Sequence, residues 1–373
     1  MVAYIAGIVL FALCVCLSLA LHEAGHMLTA RAFGMKVRRF FVGMGPTVFS
    51  FRRRGVEYGL KAVPIGGFCD ISGMTTLDEN VREERPMWNF KTWQRTAVMA
   101  AGPLTHFLLG FLILFVMAVS LGLPNTASKP VLGSTDGGAA AAAGIRPGDE
   151  IVSVAGKPTP TWQEMVGVVR AQAGPTPVGV RRGDEVLTFQ VTIPRVHREG
   201  VGEIGVIGAS VQTAFQYGPI DAVGATAAYT GQMFAQTFER LIEMPQRIPG
   251  LVSAVFGGER EHNSPVSVVG ASRLGGEAAE AGLWSVFFLL LAGLNFFLGV
   301  FNLLPLLPMD GGHIAVTWYE KVRDKIRGLR GRPALGPVDY TRLANVTMAL
   351  VVVGGLFVAL TVTADIVNPI RLT

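Results

Sequence analysis

Four stretches of the chain stay apolar long enough to cross a bilayer, which takes about 20 residues: positions 4–26, 96–122, 283–304 and 344–366. Each reads as a membrane helix. A fifth stretch, 213–256, carries Phe215, Tyr217, Tyr229, Phe234 and Phe238, but Glu239, Arg240, Glu243 and Arg247 break it. It reads as amphipathic helices near a membrane surface rather than as a span. Between 123 and about 210 the continuous apolar runs give way to short alternating ones. There "GIRPGDEIVSVAGKPTPTWQEMVGVVRAQ" predicts a Pro-Gly-Asp turn, a strand through Ile151, Val152 and Val154, and a helix whose Thr161 and Glu164 stand at capping-box spacing. A further strand, with Leu187, Phe189, Val191 and Ile193 on one face, follows the "RRGD" turn.

From Phe40 to Phe68 the sequence predicts a β-hairpin: "TVFSF", a turn at "RRRG", then "VEYGLKAVPIGGF". Gly43, Gly45, Gly66 and Gly67 permit a re-entrant backbone where protein, not lipid, surrounds it; a hairpin lying on the surface is the alternative. Lys61 and Val63 fall on the strand whose edge is suited to an extended peptide. The predicted fold is a polytopic α-helical membrane protein of about four transmembrane helices, with an inserted α+β domain and a membrane-associated β-hairpin. The expected division is 1–33 (first span), 34–95 (loop with hairpin), 96–122 (second span), 123–210 (inserted domain), 211–282 (amphipathic linker), 283–312 (third span and its exit), 313–343 (basic loop) and 344–366 (fourth span).

Composition agrees with this pattern, since 50% hydrophobic and 16% charged residues are too apolar for an ordinary soluble chain. A net charge of +5 would suit nucleic acid, but its distribution does not. Residues 31–95 hold 12 Lys or Arg against 6 acids and residues 313–343 hold 7 against 3, whereas 123–282 hold 12 against 15. Basic loops alternating with a neutral one predict cytoplasmic basic loops, with the inserted domain and both termini extracytoplasmic. No nucleic-acid partner is expected. Cys14 and Cys16 fall inside a span and Cys69 in the predicted cytoplasmic loop, so no disulfide framework is expected.

The chemistry is concentrated at "LHEAGH". An alternative reading of the first span as a secretory signal fails, because "MVAYIAGIVLFALCVC" has neither a basic leader nor a small-residue cut site. His22 and His26 are four residues apart, so on a helix they share a face and can share a tetrahedral metal, with Glu23 beside the metal's water. Two histidines leave a ligand missing, and it must lie at membrane depth. In "FNLLPLLPMDGGHIAV" Asp310 is the sole carboxylate, behind two prolines and ahead of Gly311 and Gly312, where a broken helix can aim it inward. The competing reading of Asp310 is a polar residue that ends a span in a turn.

These segments together resemble the site-2 proteases, intramembrane zinc metalloproteases, in their bacterial branch carrying a PDZ domain. HEAGH, "FVGMGP", "YGLKAVPIGGF", "AGPLTH" and "NLLPLLPMDGGH" carry the likeness. The resemblance implies zinc on His22, His26 and Asp310, Glu23 as general base, a substrate-handling Asn302, a PDZ-like module at 123–210, and the bacterial cytoplasmic membrane as location. It also implies membrane-spanning protein substrates such as anti-sigma factors. Two positions depart from the family pattern: Met309 stands where leucine is usual, and His106 where asparagine is usual. His106 reads as a buried histidine held by one hydrogen bond, with plain packing and an approach to the metal as the competing readings. His313 lies next to the aspartate motif, and His197 and His262 receive no role. Two other classes compete: a silent scaffold holding clients through the inserted domain, with the zinc purely structural, and a metal transporter. A transporter needs polar groups spread along several spans, and a structural zinc site has no use for Glu23.

Overall fold

The computed structural model describes residues 1–78, 81, 85–126, 128–135, 137–198, 200–261 and 263–372. His262 therefore lies outside the described residues. Two compact units divide the chain, one formed by residues 1–115 with 226–373 and the other by residues 116–225.

In the first unit, helix α1 (Val2–Ala32) is followed by the long strands β1 (Val37–Arg53) and β2 (Val56–Ile71), which pair antiparallel. Arg54 and Gly55 close this hairpin with φ of 50° and 80°, the backbone twist that a two-residue hairpin loop requires. From Phe49↔Leu60 to Arg53↔Val56 the register is regular; it shifts throughout Val37–Phe49, where Arg39 to Val42 each pair with two segments of β2, 57–60 and 67–70, and where Gly43 and Gly45 have φ of 86° and 83°. Helix α2 (Thr92–Ser120) leads into the second unit.

That unit begins with β3 (Leu123–Pro124), β4 (Leu132–Ser134) and the short α3 (Ala139–Ala142). β5 (Glu150–Val154), β6 (Lys157–Pro158), α4 (Trp162–Arg170), β7 (Gly174–Arg182) and β8 (Glu185–Ile193) follow, and the four strands form one sheet in the order β6-β5-β7-β8. Thr161 caps α4 by accepting from the Glu164 N–H at 3.3 Å while its hydroxyl donates to the Glu164 carboxylate at 3.0 Å. The alternation along β8 buries Val191 and Ile193 against Ile151, Val178, Val180, Met165 and Val169. β9 (Arg195–Arg198) pairs with β10 (Gly202–Gly205). The structure closes this unit past residue 210, because β11 (Ser210–Val211) pairs with β4 and β12 (Ala214–Phe215) with β3.

The chain returns through α5 (Pro219–Val255), a single helix of 37 residues containing Pro245 and Pro249, and then α6 (Val268–Glu280), α7 (Trp284–Asn302), α8 (Asp310–Leu329) and α9 (Ala344–Val367). Four helices are long and apolar enough to cross a membrane among the described residues: Val2–Ala32, Thr92–Ser120, Trp284–Asn302 and Tyr340–Val367, the last with its leading 3-10 turn. The chain is thus a polytopic membrane protein with an inserted β-rich unit. α5, interrupted by its charges, is not among the four.

Close packing of α1 depends on small residues in α6. A Cβ on Gly275 would stand 2.6 Å from the Phe11 ring, and one on Gly276 would stand 2.6 Å from Ile8. Phe11 is thereby fully buried with Phe287, Leu291 and Ala278. A second apolar cluster, including Ala30, Val37, Val56, Ile71, Val98 and Met99, ties the hairpin to α1 and α2.

Candidate metal centre

The HEAGH segment occupies the C-terminal third of α1, and its i, i+4 histidines face inward, His22 7% and His26 6% exposed. Asp310 opens α8 as its first residue. The turn before it is held tightly, since a Cβ on Gly311 would meet the Leu303 carbonyl oxygen at 2.1 Å and one on Gly312 the Leu306 carbonyl carbon at 2.6 Å. Only glycines allow α8 to start that close beneath the end of α7. α8 is itself anchored by Arg95, whose Nη1 donates to Glu320 Oε2 at 2.6 Å with both side chains buried. The other oxygen of Glu320 accepts from the Val338 N–H at 2.6 Å. His313, one turn into α8, lies 3.1 Å from the Tyr340 hydroxyl through Nδ1.

These elements bring three donor atoms together. His22 Nε2 and His26 Nε2 are 3.1 Å apart, and each lies 3.3 Å from an oxygen of the Asp310 carboxylate. The edge of a tetrahedron with metal–ligand bonds of about 2.0 Å is about 3.3 Å long, so the triangle has the size of three ligands around one zinc. The protonation pattern agrees. His26 Nδ1 sits 2.7 Å from the Val98 carbonyl oxygen, a contact that requires the proton on Nδ1 and leaves a lone pair on Nε2. That lone pair faces His22 Nε2, and Asp310 Oδ2 is buried without a hydrogen-bond donor, so acceptors converge where a cation would neutralise them. Among the described residues this is the one cluster of histidine, cysteine or carboxylate groups placed to hold a metal.

α2 walls the site on the opposite side. A Cβ on Gly102 would lie 2.3 Å from His26 Nε2 and 2.7 Å from His22 Cε1, while one on Gly25 would lie 2.6 Å from the Ala101 carbonyl oxygen. The two helices cross on these paired glycines. Glu23, next to His22, points toward β2, because a Cβ on Gly67 would come 3.1 Å from Glu23 Cγ and 2.8 Å from the Phe41 carbonyl oxygen.

The structure therefore gathers His22, His26, Asp310, Glu23 and Gly67. Gly66, with φ of 74°, lies over Met44. Lys61 donates to the Gly45 carbonyl oxygen at 3.0 Å and stands over the rings of Phe41 and Phe68. Val63 is 43% exposed beside its pairing partner Met44. Asn302 is the last, half-buried residue of α7. His106 is fully buried and hydrogen-bonded through Nδ1 to Asn295 Oδ1 at 3.0 Å. His197 lies on β9 of the second unit.

Comparison with known proteins agrees with this constellation: the family model described as peptidase family M50 matches residues 10–342. The chain belongs to peptidase family M50. This M50 peptidase is 45% identical to the zinc metalloprotease Rip1 of Mycolicibacterium smegmatis, over 98% of both chains. It is 43% identical to the zinc metalloprotease Rip1 of Mycobacterium tuberculosis H37Rv, over 99% of both. More distant is the metalloprotease MmpA of Caulobacter vibrioides, 29% identical over 81% of this chain and 83% of that one. Membership makes the chain a site-2 protease, an intramembrane metallopeptidase whose cofactor is zinc.

Of three features of the site that sequence reasoning left without a role, two carry no chemical signal of their own. The Val98 carbonyl belongs to the backbone, so no side-chain pattern reveals it. Gly102 reads as an ordinary small residue of a span. Asn295 was open to detection, because an amide inside an apolar span needs a partner.

Proposed function

We propose that the chain hydrolyses a peptide bond within or beside the membrane-spanning segment of a protein substrate, using zinc held by His22, His26 and Asp310. The observation that carries this assignment is the convergence of the two Nε2 atoms and the Asp310 carboxylate within 3.1–3.3 Å of one another. Zinc bound there supplies Lewis acidity toward the scissile carbonyl and makes water a nucleophile at neutral pH. Glu23 takes the proton of the attacking water and returns it to the leaving amine. The Val98 carbonyl holds the His26 ring in the tautomer that presents Nε2. A helical substrate offers no free backbone groups, so it must be held extended. The β1–β2 hairpin, whose Gly67 lies against Glu23, offers a strand edge beside the catalytic carboxylate, with Lys61, Val63 and Gly66 on that edge and Asn302 at the exit of α7.

The second unit acts in this reading as a PDZ-like extracytoplasmic module that screens substrates. Its four-stranded antiparallel sheet packed on α4 is the support for that name. Membrane-anchored regulators of the anti-sigma-factor type are the substrate class proposed, in a bacterial cytoplasmic membrane with both termini outside.

The deciding experiment compares Glu23→Gln with His22→Ala, His26→Ala and Asp310→Ala in detergent, following zinc content and cleavage of a single-span substrate. Glu23→Gln keeps its zinc and loses at least about a hundredfold in cleavage, while the three alanine variants lose metal and activity together. Wild-type cleavage by Glu23→Gln would end the mechanism. Cellular function retained by Glu23→Gln without cleavage would point instead to a scaffold.

A further inference from the structure

Two nitrogens near the metal centre are buried without a partner, His22 Nδ1 and His106 Nε2. They belong to rings whose centroids are 5.0 Å apart, tilted by 38°. The donor and acceptor character of each follows from its other nitrogen. Asn295 Nδ2 donates to the Leu291 carbonyl oxygen at 2.9 Å, which orients the amide so that Oδ1 faces His106. His106 Nδ1 must then carry the proton, and in the neutral ring Nε2 is a bare acceptor. His22 directs Nε2 to the ligand triangle, so when that nitrogen binds metal the proton of the neutral ring sits on Nδ1. One ring therefore has an unsatisfied donor and the adjacent ring an unsatisfied acceptor.

We infer that His106 is the positioning residue of His22: its Nε2 accepts from the His22 Nδ1–H through one bridging water, since the two nitrogens make no direct hydrogen bond, and Asn295 holds His106 in the required tautomer. The chain of contacts runs from the Leu291 carbonyl through Asn295 and His106 to His22 and the metal. It matches in role the Val98 carbonyl that serves His26. Such partners fix ring orientation and raise ligand basicity, and their loss costs 10- to 100-fold in metal affinity. His106 is not itself a ligand in this arrangement, since the cluster of convergent donor atoms consists of His22, His26 and Asp310 without it. The inference rests on His22 being a metal ligand.

The test measures zinc affinity by chelator competition on the full-length protein in detergent, together with the visible spectrum of the cobalt-substituted form. Wild type is compared with His106→Leu, His106→Gln, Asn295→Leu and His22→Ala. His106→Leu should bind zinc about 10- to 100-fold more weakly and shift the cobalt bands. His106→Gln, whose amide oxygen reaches close to the Nε2 position, should recover most of the affinity. Asn295→Leu, which frees the tautomer while keeping both histidines, should weaken binding in the same direction. Wild-type affinity and spectrum in both His106→Leu and Asn295→Leu, with His22→Ala devoid of zinc, would overturn the inference. Equal losses in His106→Leu and His106→Gln would also overturn it, by assigning the position to packing. Zinc retained by His22→Ala would instead remove the ligand assignment beneath it.

Discussion

A carbon atom added to Gly102 would stand 2.3 Å from Nε2 of His26, the nitrogen that lies 3.3 Å from the Asp310 carboxylate. The glycine of "AGPLTH" is thus part of the wall of the candidate metal site, although it contributes no functional group. Gly102→Ala should displace the His26 ring and lower cleavage about a hundredfold, the scale expected for a catalytic group misplaced by about 1 Å. Zinc content should fall with it. Gly354→Ala, in the open surroundings of α9, is the matched control and should leave both unchanged.

The ion pair between Arg95 and Glu320 sets the position of α8, and through it Asp310. Each side chain is less than a tenth exposed, so removal of one leaves the other charged and unpaired in the interior. Arg95→Met should lower stability by about 3 kcal/mol, visible in the thermal unfolding of the detergent-solubilised protein. The double variant Arg95→Met with Glu320→Met should recover part of that loss, because no isolated charge then remains.

In the inserted unit, Asp149 accepts from both Nε and Nη2 of Arg182, at 2.8 and 2.7 Å, and from the Arg146 N–H at 2.8 Å. The Arg182 guanidinium, aided by that N–H, holds the Asp149 carboxyl below the usual carboxylate range. A group with a depressed folded pKa stabilises the fold above its unfolded pKa of about 3.9, and that contribution disappears as pH falls through the folded value. Resistance of this unit to limited proteolysis should therefore drop as pH is lowered below about 4, and Asp149→Asn should be less stable at pH 7 with a flatter acid profile. An unchanged acid profile in Asp149→Asn would mean that the pair contributes nothing to the linkage.

Proline at Lys61 or Val63 should impair cleavage while leaving zinc bound, because proline removes a strand donor without touching the metal. Single-span substrate turnover and zinc content in the same preparations are the two readouts. Wild-type turnover in both variants would count against an extended substrate on the β2 edge.

Local pattern was enough for the apolar spans and the strands of the inserted unit, but not for α8, which covers much of the stretch read as a basic loop. The long apolar runs, the i, i+4 histidines, the Thr161 cap and the alternation of Leu187 to Ile193 are all properties of neighbours along one helix or strand, which repeat at 3.6 or 2 residues. Asp310 was also legible, since a carboxylate behind two prolines in an apolar context is costly unless it has a task. The tertiary structure alone decided which groups surround the metal triangle: the Val98 carbonyl on His26, Gly102 against both rings, Gly67 beside Glu23, and the Asn295–His106 pair next to His22. These contacts depend on where helices cross and how closely their backbones approach. Such distances are set by packing many residues at once, and no period within a single element records them.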